Sequence, residues 1–217
     1  MKKNLFVYLM CTFSFFMCFG CNKNVVSEKN VSERVETYFN GVANGFKASI
    51  SSGQRENPYI YNGVTAPFVD FAVLTIVCDC ANASIDVQIT INEKCQNIRL
   101  EVDTVTGHFL TDLETKLKEG DVVTLNYAGE SLTLSCMSKD FNLSWKDSFE
   151  KGMMVFKDDL QKLCSSGTLM AEIYLRVLDN AEDEFNRIYW YFYVYAQNGT
   201  TYSCVIDPKS GEVVVKN

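Results

Sequence analysis

From Ser84 to Val102 the chain alternates apolar and polar side chains with a period of two. Ile85, Val87, Ile89 and Ile91 oppose Asp86, Gln88, Thr90 and Asn92, and after them Ile98, Leu100 and Val102 oppose Arg99, Glu101 and Asp103. Successive side chains of an extended strand point to opposite faces, so this pattern predicts two half-buried antiparallel strands and excludes a helix, whose faces recur every 3.6 residues. Leu169, Ala171, Ile173, Leu175 and Val177 alternate in the same way with Met170, Glu172, Tyr174 and Arg176. Phe68 to Cys78 is an almost unbroken apolar run, the signature of a strand covered on both faces.

Two further hairpins are expected. A two-residue loop at Ser138-Lys139 pairs Cys136 with Phe141, Leu134 with Leu143 and Leu132 with Trp145. A two-residue loop at Asn198-Gly199 pairs Tyr195 with Tyr202, Tyr193 with Cys204 and Tyr191 with Ile206, which turns Tyr189, Tyr191, Tyr193 and Tyr195 toward the core. Trp190 and Phe192 then lie on the opposite face, and exposed aromatics on a sheet can stack on a sugar or dock a partner. They are the candidate ligand- or partner-binding residues.

Helical spacing predicts helices near 32–46 (Val35, Tyr38, Phe39, Val42, Phe46), 109–119 and 154–165. Phe109, Asp112, Leu113 and Gly120 match Phe156, Asp159, Leu160 and Gly167 at a constant offset of 47, which suggests an internal ββαβ repeat over 84–127 and 131–178. The fold class expected is α+β: a mainly antiparallel β-sheet or sandwich with two or three short helices, closed by a C-terminal β-meander over 187–217.

Of the 217 residues, 47% are hydrophobic and 22% charged, too apolar for a disordered chain. Lys2 and Lys3 precede an uncharged apolar run from Asn4 to Gly20, and polar residues begin at Asn22. This is the pattern of a secretion signal, here residues 1–20, rather than of a membrane span, which needs about 20 apolar residues. Removing the leader takes two lysines and no acid, and deepens the net charge from −7 to −9. That balance argues against nucleic acid, whose phosphates call for a basic face. Residues 21–33, with no apolar periodicity after Cys21, read as a tether, and 34–217 as one α+β domain.

Few motifs carry chemistry. His108 is the only histidine, no Gly-x-Ser-x-Gly elbow accompanies it, and no phosphate-cradling glycine motif occurs, so no catalytic residue and no cofactor is assigned. The spacing of Cys78, Cys80 and Cys95 matches no zinc pattern, and no metal is expected. Cys78 and Cys80 share one face of a strand and are not expected to bond to each other. Paired carboxylates suffice for hydrolysis without histidine, so a carboxylate-dependent hydrolase is the alternative to a binding or structural role. The densest acidic cluster is Asp179, Glu182, Asp183 and Glu184, read as a solvated loop.

Cys18-Phe19-Gly20-Cys21 resembles the lipobox of bacterial lipoproteins. The resemblance implies that Cys21 receives a diacylglyceryl group and becomes the mature N-terminus. The protein is then held to a membrane by its lipid in the bacterial cell envelope, facing the periplasm or the outside. Tyr202 to Val213, with Asp207 and Gly211 in the turn, is similar to the closing strand pair of PepSY domains. That resemblance implies a small envelope module, peptidase-restraining in some members, and carries over no functional residue. The reading is a lipid-anchored, non-enzymatic envelope protein with a protein or carbohydrate partner, of undetermined oligomeric state.

Overall fold

A computed structural model describes residues 26–59, 66–179 and 187–217. The described chain runs β1 (Val31–Ala43), β2 (Phe46–Glu56), β3 (Phe68–Cys78), β4 (Ser84–Ile91), β5 (Lys94–Val102), β6 (Phe109–Leu113), β7 (Val123–Tyr127) and β8 (Glu130–Cys136). It continues through α1 (Trp145–Val155), α2 (Lys157–Lys162), a small ribbon of β9 (Cys164–Ser165) and β10 (Thr168–Leu169), and then β11 (Ala171–Asp179), β12 (Ile188–Ala196), β13 (Thr201–Ile206) and β14 (Val213–Lys216). The fold is α+β and mainly antiparallel, as the alternation predicts.

Strands β1-β2-β3-β6-β5-β4-β7-β8 are neighbours in that order, and β8 returns to β1 through Phe39 opposite Cys136 and Asn40 opposite Ser135. A sheet that meets itself removes its own edges, so this part is barrel-like rather than a sandwich. Its interior is filled by alternate side chains of every strand, among them Phe39, Ile50, Leu74, Ile89, Leu100 and Leu125. The turn Asn92-Glu93 between β4 and β5 has both residues at positive φ, 47° and 70°, which suits the right-handed twist of a two-residue hairpin. Leu117 closes one end of the barrel. Its backbone N–H donates to Ser52 Oγ at 2.9 Å and its carbonyl accepts from Thr37 Oγ1 at 3.0 Å.

The same sheet continues past β1 as a wing, β11-β12-β13-β14, because the N-terminal half of β1 pairs in parallel with β11. Helices α1 and α2 cover one face of it and make a second core from Phe149, Phe156, Ile173, Trp190, Phe192 and Ile206. β1 serves both cores because of a bulge. Val35 stands opposite Gly53 and Thr37 opposite Ser52, so Glu36 is extra. The extra residue reverses the alternation, sending Val31 and Val35 into the second core and Phe39 into the barrel.

The structure overturns several expectations. Residues 32–46 run along β1 and through the turn at Asn44 and Gly45 into β2 rather than forming a helix, because β1 is buried on both faces along much of its length and loses the alternation that would mark it. Val31, Ser32 and Glu33, expected in the tether, are buried in β1. Phe109–Leu113 is a strand, so it is not the structural equivalent of Phe156 to Leu160, which spans the junction of two helices, and the offset of 47 does not mark a repeated unit. The hairpin expected at Ser138-Lys139 does not form. β8 pairs with β7 instead (Leu134 opposite Val123), and Ser144 caps α1 by accepting from the Asp147 N–H. Residues 1–20, Cys21, Glu182, Asp183 and Glu184 lie outside the described residues.

Candidate functional site

The meander pairs one residue out of step with the expectation. Tyr195 stands opposite Thr201, Tyr193 opposite Ser203 and Tyr191 opposite Val205. A one-residue slip exchanges the two faces of a strand, so Cys204 and Ile206 join Trp190 and Phe192 in the core and the tyrosines face away from it. Trp190 is 2% exposed and Phe192 fully buried. The Trp190 indole N–H donates to the Leu143 carbonyl at 3.0 Å, and the Phe192 ring packs between Phe149 and Phe156 at centroid distances of 6.4 and 6.1 Å. The two residues predicted to bind a ligand are therefore core residues under α1.

The aromatic surface lies on the other face. Tyr193 is opposite Tyr174, Tyr191 opposite Arg176 and Tyr195 opposite Glu172, all on the side of β11 and β12 turned from the helices. Tyr191 and Tyr193 stack at 5.9 Å with an interplanar angle of 14°, Tyr193 meets Tyr174 at 5.9 Å, and Tyr174 meets Tyr59 at 5.8 Å. Tyr174, Tyr193 and Tyr191 are half-buried, and the strip has Tyr59 and Tyr195, each 36% exposed, at its ends.

Charged groups border the strip. The carboxylate of Glu33 accepts from Arg176 Nε at 2.6 Å and from the Tyr59 hydroxyl, and the Arg176 guanidinium lies 4.9 Å from the centre of the Tyr174 ring. Burial, reinforced by the neighbouring Glu33 carboxylate, pushes the Tyr59 hydroxyl above the ordinary tyrosine range, so it remains a donor at neutral pH. Glu172 is only 1% exposed. Its carboxyl accepts from the Tyr174 hydroxyl, but Oε1 has no hydrogen-bond partner. Burial raises its pKa, because the charged form loses water and gains little in return.

The other described carboxylates are placed differently. Asp179 is taken out of the expected acidic loop: it ends β11 and accepts from Tyr38 Oη and Lys47 Nζ, both at 2.6 Å, and from Asn40 Nδ2 at 3.3 Å. This network joins the barrel to the β11–β14 wing of the sheet. Asp86 and Glu130 line a shallow open groove of about 480 Å³ on the outside of the barrel, whose floor is a row of cross-strand amides. There Gln88 donates to Asn97 at 3.4 Å and Asn126 to Gln88 at 3.1 Å. His108 sits in the turn before β6, where its backbone N–H donates to Thr106 Oγ1.

Cys78 and Cys80, expected not to pair, are joined in a disulfide with a Cα separation of 5.6 Å. β3 ends at Cys78, so the next two residues leave the extended path and bring the sulfurs together. The expectation took both residues to be in the strand.

Among the described residues no group of three or more His, Cys, Asp or Glu is arranged to hold a metal ion, and no helix is long and apolar enough to cross a membrane. The PepSY likeness pictures the meander as a discrete unit with its own helix. The meander does pack against helices, but β11 is laddered to β1 of the barrel. No family model matches the chain, and neither a curated protein nor a solved structure matches it.

Proposed function

We propose that this chain is a lipid-anchored protein of the cell envelope that acts by binding another polypeptide through the tyrosine strip of β11 and β12. The anchor rests on the sequence alone, on Cys21 at the end of an apolar leader. The observation that supports binding is the contiguous run of exposed Tyr59 and half-buried Tyr174, Tyr193 and Tyr191, bordered by the Arg176–Glu33 ion pair. Tyrosine offers a large apolar area at low entropic cost together with a polar tip, which is why it is enriched at protein interfaces. A polypeptide suits the strip better than a sugar. Sugars stack on open ring faces, whereas these rings pack on one another.

Each half of the proposal has its own test. Mass spectrometry of the mature protein is expected to find residue 21 as the N-terminus, carrying a diacylglyceryl group. A cut elsewhere or an unmodified Cys21 refutes the anchor. For binding, a photo-crosslinking amino acid at position 195 in living cells is expected to give one discrete adduct that Tyr191→Ser weakens, while the same probe at the exposed Val42 on the barrel gives none. Equal labelling at both positions, or saturable glycan binding that survives Tyr191→Ser, refutes the strip as a polypeptide site.

A further inference from the structure

The Cys78–Cys80 disulfide ties together nothing that the fold leaves loose. Cys78 is already held in β3 opposite Phe46, and the bond joins residues only two apart. The chain-entropy contribution of a disulfide grows with the loop it closes, so this one restrains the unfolded chain very little. The cysteines that could staple distant elements, Cys95, Cys136, Cys164 and Cys204, are free thiols.

The bond is placed where it can react. Both sulfurs belong to half-buried residues at the rim of the barrel, with exposed Asp79 between them. The Tyr127 hydroxyl lies 3.8 Å from Cys78 Sγ and donates to Cys80 Sγ at 3.9 Å. Its ring is fixed by an edge-on contact with Phe46 at 5.3 Å. One immobilised hydroxyl therefore reaches both sulfurs, and whichever leaves as thiolate meets a hydrogen-bond donor.

We propose that Cys78 and Cys80 form a thiol–disulfide exchange site that oxidises dithiols, with Tyr127 stabilising the leaving sulfur. A substrate thiolate attacks Cys80 Sγ. The Cys78–Cys80 bond breaks, and Cys78 leaves as a thiolate and takes up a proton. The second substrate thiolate attacks the substrate sulfur of the mixed disulfide, and Cys80 leaves and is protonated. The substrate loses two electrons and two protons and becomes a disulfide, and the pair becomes two thiols. The mechanism requires thiolate attack at an accessible sulfur. Asp79 repels the incoming thiolate and slows the first step.

The test uses the full chain carrying Cys95→Ser, equilibrated without denaturant in dithiothreitol buffers of graded reduction and then alkylated for intact-mass and peptide analysis. Cys78 and Cys80 are expected to gain label together and reversibly. The rate is expected to rise in proportion to thiol concentration, to fall about tenfold in Tyr127→Phe, which removes a hydrogen bond to a charged leaving group, and to rise in Asp79→Asn. Cys78→Ser, whose Cys80 is a free thiol, is expected to be trapped as a mixed disulfide when it attacks a peptide whose cysteine is presented as a disulfide with thionitrobenzoate, which leaves as the free thiolate. The melting temperature of the reduced protein is expected within about 6 °C of the oxidised, given the small loop. Reduction only in denaturant, loss of the fold on reduction, or two thiols that an added disulfide oxidant never joins overturns the proposal. If Tyr127→Phe does not fold, the rate change in Asp79→Asn and the trapped adduct decide in its place, and absence of both overturns it.

Discussion

The bulge that lets β1 serve two cores can be tested at Gly53. A Cβ built there lies 1.9 Å from the carbonyl oxygen of Arg34, 2.9 Å from its carbon and 3.0 Å from the Glu36 nitrogen. All three are backbone atoms, of the bulged residue Glu36 and of Arg34 just before the bulge. Since a carbon is tolerated near a carbonyl oxygen only beyond about 3.3 Å, Gly53→Ala must push the strands apart by about 1.4 Å. Overpacking of this kind costs about 1–3 kcal/mol. Loss of two ladder hydrogen bonds beside the bulge adds about 1 kcal/mol each, and the stiffer unfolded chain returns about 0.4–1 kcal/mol. The net loss is about 3 kcal/mol, a fall in Tm of about 6–12 °C for a chain of this size.

Gly41→Ala on β1, the strand that carries the bulge, is the control. Its Cβ lies 3.0–3.2 Å from the ends of the Leu134 and Leu132 side chains, which can swing aside, so it is expected to cost less than about 1 kcal/mol. Urea unfolding followed by the fluorescence of Trp145 and Trp190 measures both. Equal stabilities for the two variants would falsify the argument, since they would mean that Gly53 and the Arg34 carbonyl do not meet.

Three further outcomes are expected. Phe192→Ala removes a ring packed between Phe149 and Phe156 in the second core and is expected to cost about 3–5 kcal/mol in urea unfolding, against little for a surface aromatic; a loss under 1 kcal/mol refutes its burial. Asp179→Ala strips Lys47 and Tyr38 of their shared acceptor and is expected to cost about 3 kcal/mol, while Lys47→Met with Asp179→Leu recovers part of the loss; equal losses in the single and double variants refute the pairing. Glu172 binds its proton more tightly in the folded chain than in the unfolded one, so its contribution to stability is greatest in acid and falls as pH rises from the ordinary glutamate range through its raised folded value. Glu172→Gln is expected to be the more stable protein at neutral pH and to lose that part of the pH dependence in thermal melts; unchanged profiles refute an uncompensated carboxyl at 172.

The sequence by itself determined the strands whose alternation is unbroken, with one face wet and the other oily, as in β4 and β5. Ile85, Val87 and Ile89 are buried in β4 as their alternation required, and the apolar run of β3 splits between the barrel core (Ala72, Leu74, Ile76) and the second core (Phe71, Val73). Alternation is a property of one strand, and it survives whatever that strand pairs with. Only the tertiary structure decided what depends on a partner. β1 read as a helix because its alternation is broken by the bulge and by burial on both faces. The loop at Asn198-Gly199 set β13 one residue from the expected register, which buried Trp190 and Phe192 and put the tyrosine strip on the outside. The tyrosines were legible as an alternating row, but their side was not, because a shift of one residue exchanges the faces of a strand at no cost visible in either strand alone. Glu33, Arg176 and Tyr59 come from three separate segments and meet only when β1 pairs with β11, and no local pattern records that meeting.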